Sequence, residues 1–122
     1  MTLKILNLTP FALILILLAS SLAAAPLEAV GHPHRESLKA VHDAEHEVDQ
    51  AWEVYHRAAL GGTVASPTLQ AEIEEHLHQA RTLITEAQAA ADQGNPRQVE
   101  ALVQQVRTHT THAIEGSQES KP

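Results

Sequence analysis

The sequence predicts an all-α protein: an antiparallel bundle of three helices, or of four should the long first helix be two, placed after an N-terminal signal peptide. Three observations carry this. Over three long stretches the apolar residues recur in steps of three and four, which lines them along one face of a helix. Gly61-Gly62 and Gly94-Asn95-Pro96 punctuate those stretches as helix stops and starts. The apolar content is carried by Ala, Leu, Val and Ile, with a single Trp, Tyr and Phe and no Cys, a composition suited to close helix seams.

Residues 1–23 read as a signal peptide. Lys4 precedes an apolar run from Ile5 to Leu18, interrupted only by Asn7, Thr9 and Pro10, and Ser21-Leu22-Ala23 supplies a small-x-small cleavage pattern. A cut after Ala25 would set Pro26 beside the scissile bond, which disfavours that choice. The apolar core falls short of the roughly 20 residues a membrane span needs, so cleavage is expected and no stable span remains afterwards. No Cys follows the run to take a lipid. The expected location is therefore the periplasm or the medium. Residues 24–32 read as an extended leader, 33–116 as the bundle and 117–122 as a disordered tail.

With 122 residues the chain has room for one ordinary domain. Its formal charge is −7, and removal of residues 1–23 takes one base and no acid, leaving the remainder more acidic still. Nucleic acid as a partner is excluded, because its phosphates reward a basic face. Cations are attracted instead. Ala-rich seams bury little area at about 25 cal/mol per Å², so a marginal monomer is expected.

The first helix is expected from about Pro33 to Leu60, with the stripe Leu38, Val41, Ala44, Val48, Trp52, Tyr55 and Ala59, ended by Gly61-Gly62. The second opens with Ser66 as cap and Pro67 in the first helical position and runs to about Gln93. Its stripe is Leu69, Ile73, Leu77, Ala80, Ile84, Ala87 and Ala91. The third opens at Asn95-Pro96, where Gln98 stands at the third helical position and is expected to return a bond to the cap. Its stripe is Val99, Val103, Val106, Thr110 and Ala113, flanked by Leu102 and Ile114, and Gly116 is expected to close it. Short turns make neighbouring helices antiparallel.

Nine histidines are the anomaly: His32, His34, His42, His46, His56, His76, His78, His109 and His112. None falls on the apolar stripes. On the first helix, His42, His46, Asp49, Glu53 and His56 form one column at steps of four, three, four and three. His42 and His46 sit one turn apart and can share an ion. The column rises roughly 21 Å, so one ion cannot use all of it. On the second helix, Glu72 precedes His76 and Glu74 precedes His78, each by four; on the third, His109 and His112 are three apart. Reflection through the Gly94-Asn95 turn sets His76 near His109 and His112. Reflection through the 61–65 loop sets it near Asp49 and Glu53. An inter-helix site of His76, His109 or His112, and an acid of the first helix is thus feasible.

With no Cys and no Met beyond position 1, Cu(I) is a poor match, whereas imidazole and carboxylate suit Cu(II), Ni(II) and Zn(II). Catalysis has no visible machinery. His42-Asp43-Ala44-Glu45-His46 has its acid misplaced for the zincin signature, and the chain has no Gly-x-Ser-x-Gly or Cys nucleophile. No enzyme is expected.

In these pieces, namely His42-Asp43-Ala44-Glu45-His46, Ile73-Glu74-Glu75-His76-Leu77 and the break Gln93-Gly94-Asn95-Pro96, the chain resembles the SmbP-like small metal-binding proteins of bacterial periplasms. The likeness covers roughly His34 to Glu119, in character more than in motif. It implies a four-helix bundle that holds several divalent ions, copper among them, as a scavenger or buffer. The other class of function open to the sequence is a stress-related, chaperone-like interaction module without metal. Its basis is the regular Ala/Ile/Leu seam of the second helix, which also suits a homodimer through helix seams.

Overall fold

The computed structural model describes residues 27–119, which form three helices and no strand: α1 (Leu27–Leu60), α2 (Pro67–Asp92) and α3 (Pro96–Gln118). The expected signal peptide, the first residues of the expected leader (24–26) and the last residues of the expected tail lie outside the described residues. No helix among the described residues is long and apolar enough to cross a membrane.

The helix boundaries follow from local chemistry. Ser66 accepts from the Leu69 N–H at 3.1 Å and Pro67 follows it. Both connections begin with the same backbone device, a left-handed glycine. Gly62 (φ 67°) lets Thr63 N–H reach Ala58 O, and Gly94 (φ 69°) lets Asn95 N–H reach Ala90 O, each across six residues. The bond expected from Gln98 takes another form for this reason. Asn95 has spent its backbone N–H on Ala90, so the Gln98 side-chain oxygen accepts from the Asn95 amide side chain at 3.1 Å, while Asn95 Oδ1 caps the Gln98 N–H.

Two boundaries differ from expectation. The stretch read as an extended leader is helical from Leu27 onward, and Pro33 lies inside α1. Proline suits the first helical turn, which is why the sequence suggested a start there. In the interior it removes one backbone bond and costs about 3 kcal/mol relative to alanine, yet Leu27, Glu28 and Ala29 are helix formers and carry the ladder past it.

At the other end, Gly116 does not stop α3, which continues to Gln118, and Ser117 is buried, its hydroxyl donating to Ala113 O at 2.7 Å. Gly116 is there for closeness. A Cβ at that position would meet Ile73 Cγ1 at 3.0 Å and Leu69 Cδ1 at 3.4 Å. Gly116→Val should therefore destabilise the bundle by about 2 kcal/mol through overpacking, read as a lowered midpoint in urea. An unchanged midpoint would show that α3 has room to shift.

All three helices pack on one another, most extensively α2 on α3. The first helix is one unbroken rod rather than two, so the described residues make three helices where the family likeness implied four. The expected stripes are largely the buried ones: Val41, Ala44, Val48 and Tyr55 on α1, Ile73, Leu77, Ala80 and Ala87 on α2, and Val99, Val103, Val106 and Ala113 on α3. They divide into two clusters. One gathers Val48, Leu83, Ala87, Val99 and Val103; the other gathers Ala51, Tyr55, Ile73, Leu77 and Ala113; Trp52 packs against both. Two cross-helix ion pairs fix the register of α1: Asp49 with Arg81 of α2 at 2.9 Å, and Glu47 with Arg107 of α3 at 3.3 Å. Being exposed, each contributes at most about 1 kcal/mol.

Candidate metal centre

The antiparallel turn at Gly94 determines which imidazoles meet. His76 of α2 and His109 of α3 face each other with their Nδ1 atoms 2.9 Å apart. His112, one turn further along α3, stacks on His76 with ring centroids 5.1 Å apart and planes within 17°. The reflection through the turn thus brings together the three histidines the sequence nominated. Beside them a groove of about 350 Å³ opens between α2 and α3. The acids Glu72, Glu115 and Glu119 line it with His76 and His112, and Ile73 and Gly116 lie among its apolar walls.

Two nitrogens bound to one ion at 2.0–2.1 Å, subtending between a right angle and the tetrahedral angle, are about 2.9–3.4 Å apart. The His76–His109 separation lies in that range. As the rings stand, one donates to the other, and an ion that displaces the shared proton finds both nitrogens already at chelating separation. Burial lowers the His109 pKa below the usual imidazole value, and the neighbouring His76 and His112 lower it further against an opposing pull from Glu75. Neutral imidazole is the form that binds metal.

The same depression has a stability consequence. A histidine that resists protonation only when folded adds stability above its unfolded pKa of about 6.5, and that contribution is lost as pH falls through this value. Melting the metal-free protein at pH 7.5 and 5.5 should show this loss, and His109→Gln should make the difference smaller. A His109→Gln protein with the same pH dependence would contradict the assignment.

A second pair stands on α1, where His42 and His46 place their Nε2 atoms 3.1 Å apart with rings edge to face. Both rings are exposed and belong to one helix. The rest of the expected α1 column is otherwise engaged. Asp49 pairs with Arg81, Glu53 pairs with Arg57 at 2.6 Å, and His56 lies against Trp52 at 5.3 Å. The helix-one acid expected beside His76 is thus committed elsewhere: Asp49 and Glu53 are the two that the loop reflection brought near, and each has found a guanidinium. His78 also lies against Trp52, on the α1 side of α2.

The sequence reading passed over Glu115 and Glu119. Their signal was present in the spacing, since Glu115 is three residues after His112 and Glu119 four after Glu115, and taking Gly116 as the end of the helix hid only the second of them. Among the described residues no three His, Asp or Glu side chains already converge on one point, so an ion at either pair completes its shell by side-chain rotation or with water.

Fold and spacing together define a class: a small acidic three-helix bundle with imidazole pairs on its surface. No protein-family model, curated protein or solved structure matches the chain.

Proposed function

We propose that this is an exported small metal-binding protein, sequestering Cu(II), Ni(II) or Zn(II) at His and carboxylate clusters and performing no catalysis. The observation that carries the reading is the meeting of His76 and His109 from two helices at 2.9 Å, with His112 stacked on His76 and three glutamates lining the adjoining groove. The acidic charge favours cation capture, and the absence of Cys leaves borderline ions as the best match. The resemblance to the periplasmic small metal-binding proteins points the same way.

Isothermal titration at pH 7.5 with each ion tests it. Saturable heat is expected, falling away as pH drops through about 6 because imidazolium cannot coordinate. Absence of saturable heat for all three ions would remove the proposal. Of the surface pairs, His42→Ala with His46→Ala should weaken binding more than His32→Ala with His34→Ala, since only the former has two nitrogens 3.1 Å apart.

The metal-free interaction module has less to draw on. Of the α2 seam it relied upon, Ile73, Leu77, Ala80 and Ala87 are at most 1% exposed, which leaves only Leu69 and Ile84 half-buried for a partner.

A further inference from the structure

His42 and His46 stand on the side of α1 that faces away from the bundle. Their midline lies about 160° around the helix from the mean direction of the buried Val41, Ala44, Val48, Ala51 and Tyr55. Their Nε2 atoms, 3.1 Å apart, are at chelating separation, and both rings are exposed. Two nitrogens are half of the four-ligand shell that Zn(II) takes. Among the described residues no further His, Asp or Glu is placed to complete a group of three with them. The neighbouring acids are engaged, Asp43 with Lys39 at 2.5 Å and Asp49 with Arg81 at 2.9 Å. An ion on this pair therefore turns its remaining positions outward, to water or to another molecule.

The charges along the same face have an order. Arg35 and Lys39 precede the pair, Asp49 and Glu53 follow it, and all four are exposed. Counted from Ala44, the two histidines lie two residues to either side, Lys39 and Asp49 five, and Arg35 and Glu53 nine. Reversing the direction of the helix about that level exchanges each base for an acid and each histidine for the other.

We propose that this face is a Zn(II)-dependent contact between two copies of the chain, α1 against α1 and antiparallel, with a two-fold axis at the level of Ala44. This rests on the reading that the protein holds divalent ions. It adds that the outer pair holds its ion between chains, whereas His76 and His109 hold theirs within one. A two-fold contact presents the same patch from both copies. It sets one His42/His46 pair across the other, and the turn of about 40° between the two positions of each pair spreads the four nitrogens into a tetrahedron, the arrangement Zn(II) takes.

The flanking charges then agree. Arg35 meets the partner's Glu53, and Lys39 passes the partner's Asp49; a parallel pairing would set like charges together. The ion pairs these side chains make within one chain are exposed and weak, so they can be shared or exchanged. None of the six positions is apolar, and the chain carries a formal charge of −7. Without the ion there is little to offset repulsion between two copies, so association follows the metal.

Sedimentation equilibrium of the full chain at pH 7.5 tests this. A monomer is expected in chelator, and Zn(II) should produce a dimer that added chelator dissolves. His42→Ala with His46→Ala should stay monomeric in Zn(II), whereas His76→Ala with His109→Ala should still dimerise. Charge reversal checks the direction of the helices. Arg35→Glu alone and Glu53→Arg alone should each raise the dimer dissociation constant by roughly tenfold, because each sets like charges together at two places. Mixed in equal amounts, the two variants should regain the parental constant, since each new charge then meets its opposite. The substituted positions are exposed or half-buried, and circular dichroism should show all variants folded.

A chain that stays monomeric with Zn(II), a dimer already present in chelator, a dimer that survives loss of His42 and His46, or a mixture no tighter than either charge variant alone overturns the proposal while calorimetric binding persists. Calorimetry without saturable heat for any ion removes the metal reading itself, so the two failures are distinguishable.

Discussion

Replacing His76 and His109 together by alanine should weaken the strongest ion by more than tenfold and abolish the rise in melting temperature that the ion produces. The argument is geometric. An ion held between Nδ1 atoms of α2 and α3 exists only while the two helices are docked, so its binding free energy adds to folding free energy. At a free ion concentration 100 times the dissociation constant the addition is about 2.7 kcal/mol. For a domain of this size that raises the midpoint by about 10–20 °C. The His42/His46 pair behaves differently, since both rings hang from one helix and an ion there ties one turn of α1 to the next. His42→Ala with His46→Ala should leave most of the thermal shift intact. A double His76/His109 variant that still gains the full shift with Zn(II) would place the dominant site elsewhere.

The second large effect concerns the core. Leu77 is fully buried in the cluster around Tyr55, Ile73 and Ala113. Leu77→Ala should cost about 3 kcal/mol, because the cavity it leaves is lined by side chains with little freedom to collapse inward. That corresponds to a melting temperature lower by roughly 12–20 °C by circular dichroism. The loss is severe in context. Much of the core is alanine, no disulfide is present, and a domain of this length has on the order of 5–15 kcal/mol in total. Leu60→Ala is the control: Leu60 is 90% exposed, and its removal should change stability by less than about 0.5 kcal/mol. A Leu77→Ala midpoint within a few degrees of the parent would mean the helices slide to fill the gap.

Much of the fold was legible in the sequence, for a physical reason. Helix periodicity, capping chemistry and left-handed glycines act locally, so Ser66-Pro67, Gly94 and the stripes could be read without knowing the neighbours. Where sequence reading fell short, a distant partner decided. Gly116 looks like a stop until Ile73 presses against it. Ala51, Leu83 and Ala90 lie off the drawn stripes and are buried because each inner helix face is shared between two neighbours.

The candidate site divides along the same line. Reflection through a tight turn found His76, His109 and His112, since the register of a short hairpin is nearly fixed. The acid expected from α1 was not found there. A charged side chain takes the nearest opposite charge, and for Asp49 and Glu53 those were Arg81 and Arg57. The Trp52 surround of His56 and His78 was out of reach of such reasoning, because the longer loop between α1 and α2 leaves that register free by several residues.

The proline inside α1 gives the rod a built-in fuse. Pro33 and Pro96 border the same groove, so α1 passes the first residue of α3 at about the point where its own ladder lacks a bond, and every residue from His32 to Glu36 is exposed before Ser37 turns inward. The turns ahead of that gap should fray first on warming and be clipped first by a nonspecific protease, trimming the rod back toward Ser37. What survives would retain both imidazole pairs and all three interfaces, and would be the natural fragment to crystallise with an ion in place.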